Sequence, residues 1–236
     1  MPVLHDEGDL QLLNEMNAPM IHPLILASGS PRRRELLQRL GVQFELASAD
    51  IDETQRPGEP PVALVQRLAQ EKALAVAARW PGRAVLAADT IVVLDGEVLG
   101  KPVDAVEATA MLRRLAGRPH IVWSALYAWQ PATARAAAAL NRSEVWMRAY
   151  SDEEIAAYVA SGDPLDKAGA YAIQHPDFAP AARIDGCYSG VMGFPLGDVA
   201  QVLRAIGVVV PGEAATACQP QIGLGRCCQL DVASQL

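Results

Sequence analysis

At 236 residues, with 51% apolar and 20% charged positions, the chain has enough apolar material for one large α/β domain with room for two lobes. A formal charge of −7 argues against a general nucleic-acid binder, because such domains carry a basic face or a high pI. No apolar run approaches the roughly 20 residues that span a bilayer, which argues against a membrane protein.

Residues 1–22 read as an N-terminal extension, and the domain is expected over 23–210. His5, Asp6, Glu7 and Asp9, with no basic stretch before them, argue against a signal peptide and for a cytoplasmic protein. Cys187, Cys218, Cys227 and Cys228 show no zinc spacing and fit a reducing compartment better than a disulfide scaffold.

Leu24–Leu26 reads as a buried strand. Ser30 follows as N-cap and Pro31 as first helical residue of a helix running to about Leu40 and closed by Gly41. Arg32, Arg33 and Arg34 then fill the first turn, where the helix dipole favours acids and each cation costs roughly 0.3–1 kcal/mol. An isolated Arg triplet is usually a solvated patch. Behind a strand and Ser28-Gly29-Ser30, it is better read as a receptor for phosphate, with Arg33 directed along the sheet edge towards a cleft.

Phe44–Ala47 is a short strand, followed by polar Asp50–Thr54. Pro60 and Pro61 introduce a helix with Leu64, Leu68 and Ala75 on one face and Lys72 near its middle. Ala84–Ala88 is an apolar strand ending at Asp89 and Thr90. A carboxylate there is costly unless it meets a cation, a metal or hydrogen-bond donors, although a turn-initiating Asp is an equal reading. Ile91–Leu94 continues extended, and Asp95-Gly96 turns the chain into Glu97-Val98-Leu99 as a hairpin. Gly96–Lys101 is one residue short of a Walker A loop, with Pro102 where Ser or Thr should stand, so it is not a P-loop. Lys101 can still offer a point charge to a phosphate, though a lone turn lysine is more often merely solvated.

Ala105–Leu115 is the third helix and His120–Trp129 a strand. Pro131–Leu140 reads as an alanine-rich loop insertion of helical character, and Val145–Arg148 as another short strand. Ser151 and Glu154 form a capping box for the helix Asp152–Ala160, stopped by Gly162 and Pro164. In Asp166–Gln174 the small residues Ala168, Gly169 and Ala170 allow close approach of a ligand or a neighbouring backbone. Gln174 offers the donor and acceptor that a nucleobase edge requires. Tyr171–Gln174 and Arg183–Ile184 read as extended pieces, and glycine-punctuated Asp185–Gly193 as a cleft wall in which Cys187 is a small buried residue. Pro195–Ile206 is the last helix, and 211–236 is expected to be a disordered tail. Strands alternating with helices, plus one hairpin, give an α/β fold with a mixed twisted sheet.

Six segments taken in order resemble the Maf family of nucleotide pyrophosphatases over roughly residues 24–207. They are Leu26–Arg33, Ile51-Asp52-Glu53, Glu71-Lys72-Ala73, Ala87–Thr90, Leu99–Pro102 and Asp166–Tyr171. The resemblance implies an elongated, two-lobed structure with a central cleft, similar to inosine-triphosphate pyrophosphatases. It also implies hydrolysis of nucleoside triphosphates to monophosphate and pyrophosphate with a divalent cation, Mg²⁺ or Mn²⁺. Ser28–Arg33 and Asp166–Gln174 are similar to the branch selective for dTTP and UTP.

By this resemblance Asp89 is the proton acceptor, and Arg32, Thr90 and Gln174 set base selectivity. Ser28, Arg33, Lys72 and Lys101 are expected to contact phosphate, and Glu53 joins Asp89 on the metal side. Asp198 stands where the family has a glutamate, which leaves its role open, as the sequence leaves open a homodimer. A nucleotide-binding regulator of cell division, to which the family has been linked, would need the same pocket without turnover. Asp89 together with the lysines favours the enzyme.

Overall fold

The computed structural model describes residues 23–218. The expected extension, 1–22, and residues 219–236 of the expected tail lie outside the described residues. The chain forms strands β1 (Leu24–Ala27), β2 (Phe44–Ala47), β3 (Val85–Leu94), β4 (Glu97–Leu99), β5 (Pro119–Gln130), β6 (Arg135–Met147) and β7 (Ala181–Asp185). Its helices are α1 (Pro31–Arg39), α2 (Pro61–Ala77), α3 (Ala105–Leu115), α4 (Asp152–Ala160), α5 (Tyr188–Val191), α6 (Leu196–Ala205) and α7 (Ala214–Ala217). The sheet runs β2-β1-β3-β5-β6-β7, with β4 also on β3. β1 is parallel to β2 and β3, and the other pairings are antiparallel. The mixed sheet expected from the sequence is therefore present.

Strand β3 organises the molecule. β5 pairs with it from Val85 to Val93, but its other edge is shared. β1 covers Val85–Ala87 and β4 covers Val92–Leu94, leaving a notch at Ala88–Ile91. Asp89 thus sits inside a ten-residue strand, not at the strand end that the apolar run suggests. The notch does the work of a strand end, because it opens where two neighbouring strands stop short. Ligands in open α/β sheets favour such discontinuities.

The core divides at the same place on both faces of the sheet. Leu86 and Ala88 pack with Leu36, Leu37 and Leu203 of α1 and α6, whereas Val92 and Leu94 pack with Leu112 and Ile155 of α3 and α4. On the opposite face Val85 and Ala87 meet Ala73 and Val76, while Ile91 and Val93 meet Leu64 and Leu68, all from α2. Only Asp89 and Thr90 of this strand belong to neither half.

Four sequence expectations change. The alanine-rich segment after Ala134 is strand, because Arg135–Ala139 pair with Gln130–Leu126 of β5, and ladder hydrogen bonds outweigh alanine's weak helix preference. Tyr171–Gln174 is a turn following short 3₁₀ segments at Asp163–Asp166 and Ala168–Ala170. The chain also stays packed beyond Val210. Gly212 N–H donates to Leu40 O at 2.9 Å, and Ala214, Ala217 and Cys218 are buried in the cluster that holds Leu40 and Ile206. The segment is too short to show a periodic pattern, and its partner Leu40 is far away in sequence. Cys218 is disulfide-bonded, against the reading of the cysteines as better suited to a reducing compartment than to a disulfide scaffold. Deleting residues from Pro211 onward should lower Tm by about 5 °C or more, from burial worth roughly 2 kcal/mol at about 2–4 °C per kcal/mol. An unchanged melting curve would show that α7 contributes nothing to the fold.

Candidate active site

A cleft of about 610 Å³ opens over the β3 notch, within the size range of small-molecule sites. The residues given a catalytic, phosphate, base or metal role from the sequence line it: Ser28, Arg32 and Arg33 from the β1–α1 turn and α1, Glu53 from a following loop, and Lys72 from α2. Asp89 and Thr90 come from β3, Lys101 from beyond β4, and Gln174 from the turn after the 3₁₀ segments.

Asp89 is buried within it, at 6% exposure. Lys72 stands one turn beyond buried Leu68, so its stem follows α2's inner face across β3. Its Nζ donates to Asp89 Oδ1 at 2.6 Å and lies 2.9 Å from Glu53 Oε1. One ammonium therefore gathers two carboxylates from separate elements. Burial pushes the Asp89 carboxyl above its ordinary value, opposed by the nearby charges of Lys72 and Arg33. A buried carboxylate raised in this way accepts a proton more readily than a surface aspartate.

The loop carrying Glu53 is held by a residue that the sequence reading passed over. Arg67 grips Glu59 through Nε at 2.6 Å and Nη2 at 2.8 Å, and reaches Glu71 at 3.0 Å and Thr54 O at 3.1 Å. The Arg67/Glu71 spacing of four on a helix was the available signal.

Arg33 behaves differently from the expected phosphate ligand. Its Nη1 donates to Ala88 O at 2.7 Å, its Nε to Gly193 O at 2.9 Å and its Nη2 to Thr90 Oγ1 at 3.1 Å, with Ser28 Oγ 3.5 Å from Nη1. Most of its five N–H groups are thus given to the protein, joining α1, β3 and the turn at Gly193. Burial lowers its pKa from the ordinary value, against the raising effect of Asp89. Arg32, the neighbouring guanidinium, lines the cleft without such a set of bonds among those described.

The turn bearing Gln174 is anchored from behind by two tyrosines. Ala172 N–H donates to Tyr158 Oη at 2.9 Å, and that hydroxyl donates to Asp163 at 2.6 Å. Tyr171 Oη lies 2.7 Å from His120 Nε2, and burial pulls the His120 pKa down to about 4, so the ring is neutral at ordinary pH. Lys167 lines the cleft but is held by Asp163 at 2.9 Å and Asp166 at 2.6 Å, which makes it a strap for this turn. Gly169 has φ +68°, and a Cβ there would stand 3.0 Å from Val92 Cγ1. The small residues of this segment therefore serve a close approach to β3.

Asp198 lies outside the cleft lining. It accepts from Asn141 Nδ2 at 2.8 Å in the first turn of α6, and burial raises its pKa. Cys187 is buried as expected, its sulfur 3.2 Å from Ser189 Oγ.

The sequence over this fold is similar to known proteins. Over 186 residues the chain is 48% identical to a dTTP/UTP pyrophosphatase of Geobacter sp. (strain M21), covering 79% of this chain and 96% of that one. It is 49% identical over 191 residues to a dTTP/UTP pyrophosphatase of Myxococcus xanthus (strain DK1622), covering 81% and 96%. A dTTP/UTP pyrophosphatase of Anaeromyxobacter dehalogenans (strain 2CP-1 / ATCC BAA-258) is 50% identical over 192 residues, covering 80% and 97%. The family model described as Maf-like protein matches residues 23–206, nearly the whole described fold and all the cleft residues named above. The chain belongs to the Maf family.

Proposed function

We propose that this protein hydrolyses dTTP and UTP, and modified pyrimidine triphosphates of the same shape, to the monophosphate and pyrophosphate. The observation that carries the reading is the convergence of Asp89, Lys72 and Glu53 on one notch, with Arg32, Thr90 and Gln174 in the same cleft. A binder without turnover has no need of a buried carboxylate with a raised pKa. The substrate class points to the cytoplasm as the place of action.

A triphosphate carries several negative charges, which must be offset before water can attack the α-phosphorus. Lys72, Lys101, Arg32 and the N-terminal turn of α1 supply positive charge to receive it. Asp89 takes the proton of the attacking water, and Gln174 presents its amide to the base edge. A divalent cation fits the donor set. Asp89 and Glu53 are hard oxygen donors that already share one cation, and Mg²⁺ uses one or two carboxylates plus substrate phosphates. When bound there, the cation would neutralise phosphate charge and lower the pKa of water.

Pyrophosphate release measured across the common triphosphates with Mg²⁺ or Mn²⁺ tests this function. Release from dTTP and UTP, with purine triphosphates much poorer, is the expected pattern. Release of inorganic phosphate, or a preference for GTP derivatives, would overturn it.

A further inference from the structure

Behind the cleft, a chain of hydroxyls joins Thr90 to the wall at 188–193. Ser124 of β5 lies opposite Thr90 in the β3–β5 ladder and is 1% exposed. Its Oγ donates to Gly190 O at 2.8 Å and lies 2.9 Å from Thr90 Oγ1. A serine has one hydroxyl hydrogen, here given to Gly190, so Thr90 is the donor between the two. Thr90 in turn accepts from Arg33 Nη2 at 3.1 Å. The bonds therefore run in one direction, from Arg33 through Thr90 and Ser124 to Gly190 O.

Two consequences follow. The Thr90 hydroxyl hydrogen is taken up by the protein, at Ser124 Oγ 2.9 Å away with Gly193 O farther off at 3.4 Å, so Thr90 meets a ligand through its shape and position. The wall is also tied to the sheet at a fixed distance. A Cβ on Gly190 would stand 2.5 Å from Asn141 Oδ1, Cys187 N–H donates to Ser143 Oγ at 2.9 Å, and Arg33 holds Gly193 O from the cleft side. Ser124 bonds the wall at Gly190 O and the cleft residue Thr90 together, while Thr90 itself reaches the wall only at Gly193 O, at 3.4 Å.

We infer that Ser124 is a positioning residue for base selectivity, holding Thr90 and the Gly190–Gly193 wall in one register so that the cleft admits a pyrimidine and resists a larger base. The inference rests on the proposed pyrophosphatase reading and adds to it a residue that never touches the substrate. It makes no demand on the phosphate side, where Lys72 and Asp89 lie.

The test compares wild type, Ser124→Ala and Ser124→Thr, reading kcat and KM for dTTP and dGTP beside Tm. Removing one hydroxyl should narrow the dTTP/dGTP ratio of kcat/KM by about tenfold, the scale of one buried hydrogen bond. The change should fall on KM, with kcat for dTTP little altered. Ser124→Thr keeps the hydroxyl and should restore the ratio. A folded Ser124→Ala with the wild-type ratio overturns the inference, as does an equal loss in both variants, which would make side-chain volume the cause. If wild type releases pyrophosphate from no triphosphate, the proposed function falls. The inference is then read from the Kd ratio for TMP and GMP: a ratio lost in Ser124→Ala and kept in Ser124→Thr supports it, and an unchanged ratio overturns it.

Discussion

Asp89→Asn is expected to lower turnover at least about 100-fold, the usual scale for removing a general base, while leaving substrate binding largely intact. The amide keeps the volume of the carboxylate in a site 6% exposed, so the notch does not collapse. Lys72 keeps Glu53 at 2.9 Å and is not left as a lone buried charge. The loss should therefore appear in kcat, with KM for dTTP changed little. Steady-state kinetics of the two proteins decide this. Near-normal kcat in the variant would move the base elsewhere, and Glu53, held on the same ammonium, would be the first candidate.

Arg33→Ala should destabilise the protein in the absence of any ligand. From the sequence, three arginines at a helix N-terminus suggest the opposite, because removing one relieves a dipole conflict of roughly 0.3–1 kcal/mol. The structure reverses the sign. Without the guanidinium, Ala88 O, Gly193 O and Thr90 Oγ1 lose a charged donor. Each buried acceptor left without a partner costs about 1–3 kcal/mol, which exceeds the dipole gain. Part of that cost is recovered by water, since Arg33 is only half-buried. A net loss of about 2–4 kcal/mol corresponds to a fall in Tm of roughly 5–15 °C for a domain of this size. Thermal melts of the ligand-free proteins provide the check. An unchanged or raised Tm would return Arg33 to the role of a phosphate ligand held against the dipole.

Local signals carried far in this chain. Ser30 and Pro31 set the start of α1, Ser151 and Glu154 that of α4, and Asp95-Gly96 the hairpin between β3 and β4. Each is a short-range rule in which one or two residues satisfy nearby backbone groups. Among the nine cleft residues, Ser28, Arg32 and Arg33 at a helix start, Asp89 after an apolar run, Lys101 in a turn and Gln174 beside small residues stood out by their setting, whereas the roles of Glu53, Lys72 and Thr90 came from the resemblance to the Maf family. What stayed hidden depends on strands far apart in sequence. Asp89 looked like a strand end because nothing near it shows that β5 supports the whole of Val85–Val93 while β1 and β4 leave a gap opposite. The alanines after Arg135 looked helical until β5 paired with them. Arg33 and Ser124 are the clearest cases: their partners lie 160 and 66 residues away, at Gly193 and Gly190.

The central claim is that water attacks the α-phosphorus, and one measurement addresses it most directly. Hydrolysis of dTTP in ¹⁸O-labelled water, followed by mass analysis of both products, shows which phosphorus was attacked. The account expects one ¹⁸O in the phosphoryl group of TMP and none in pyrophosphate. Label in pyrophosphate, or in released inorganic phosphate, would contradict it.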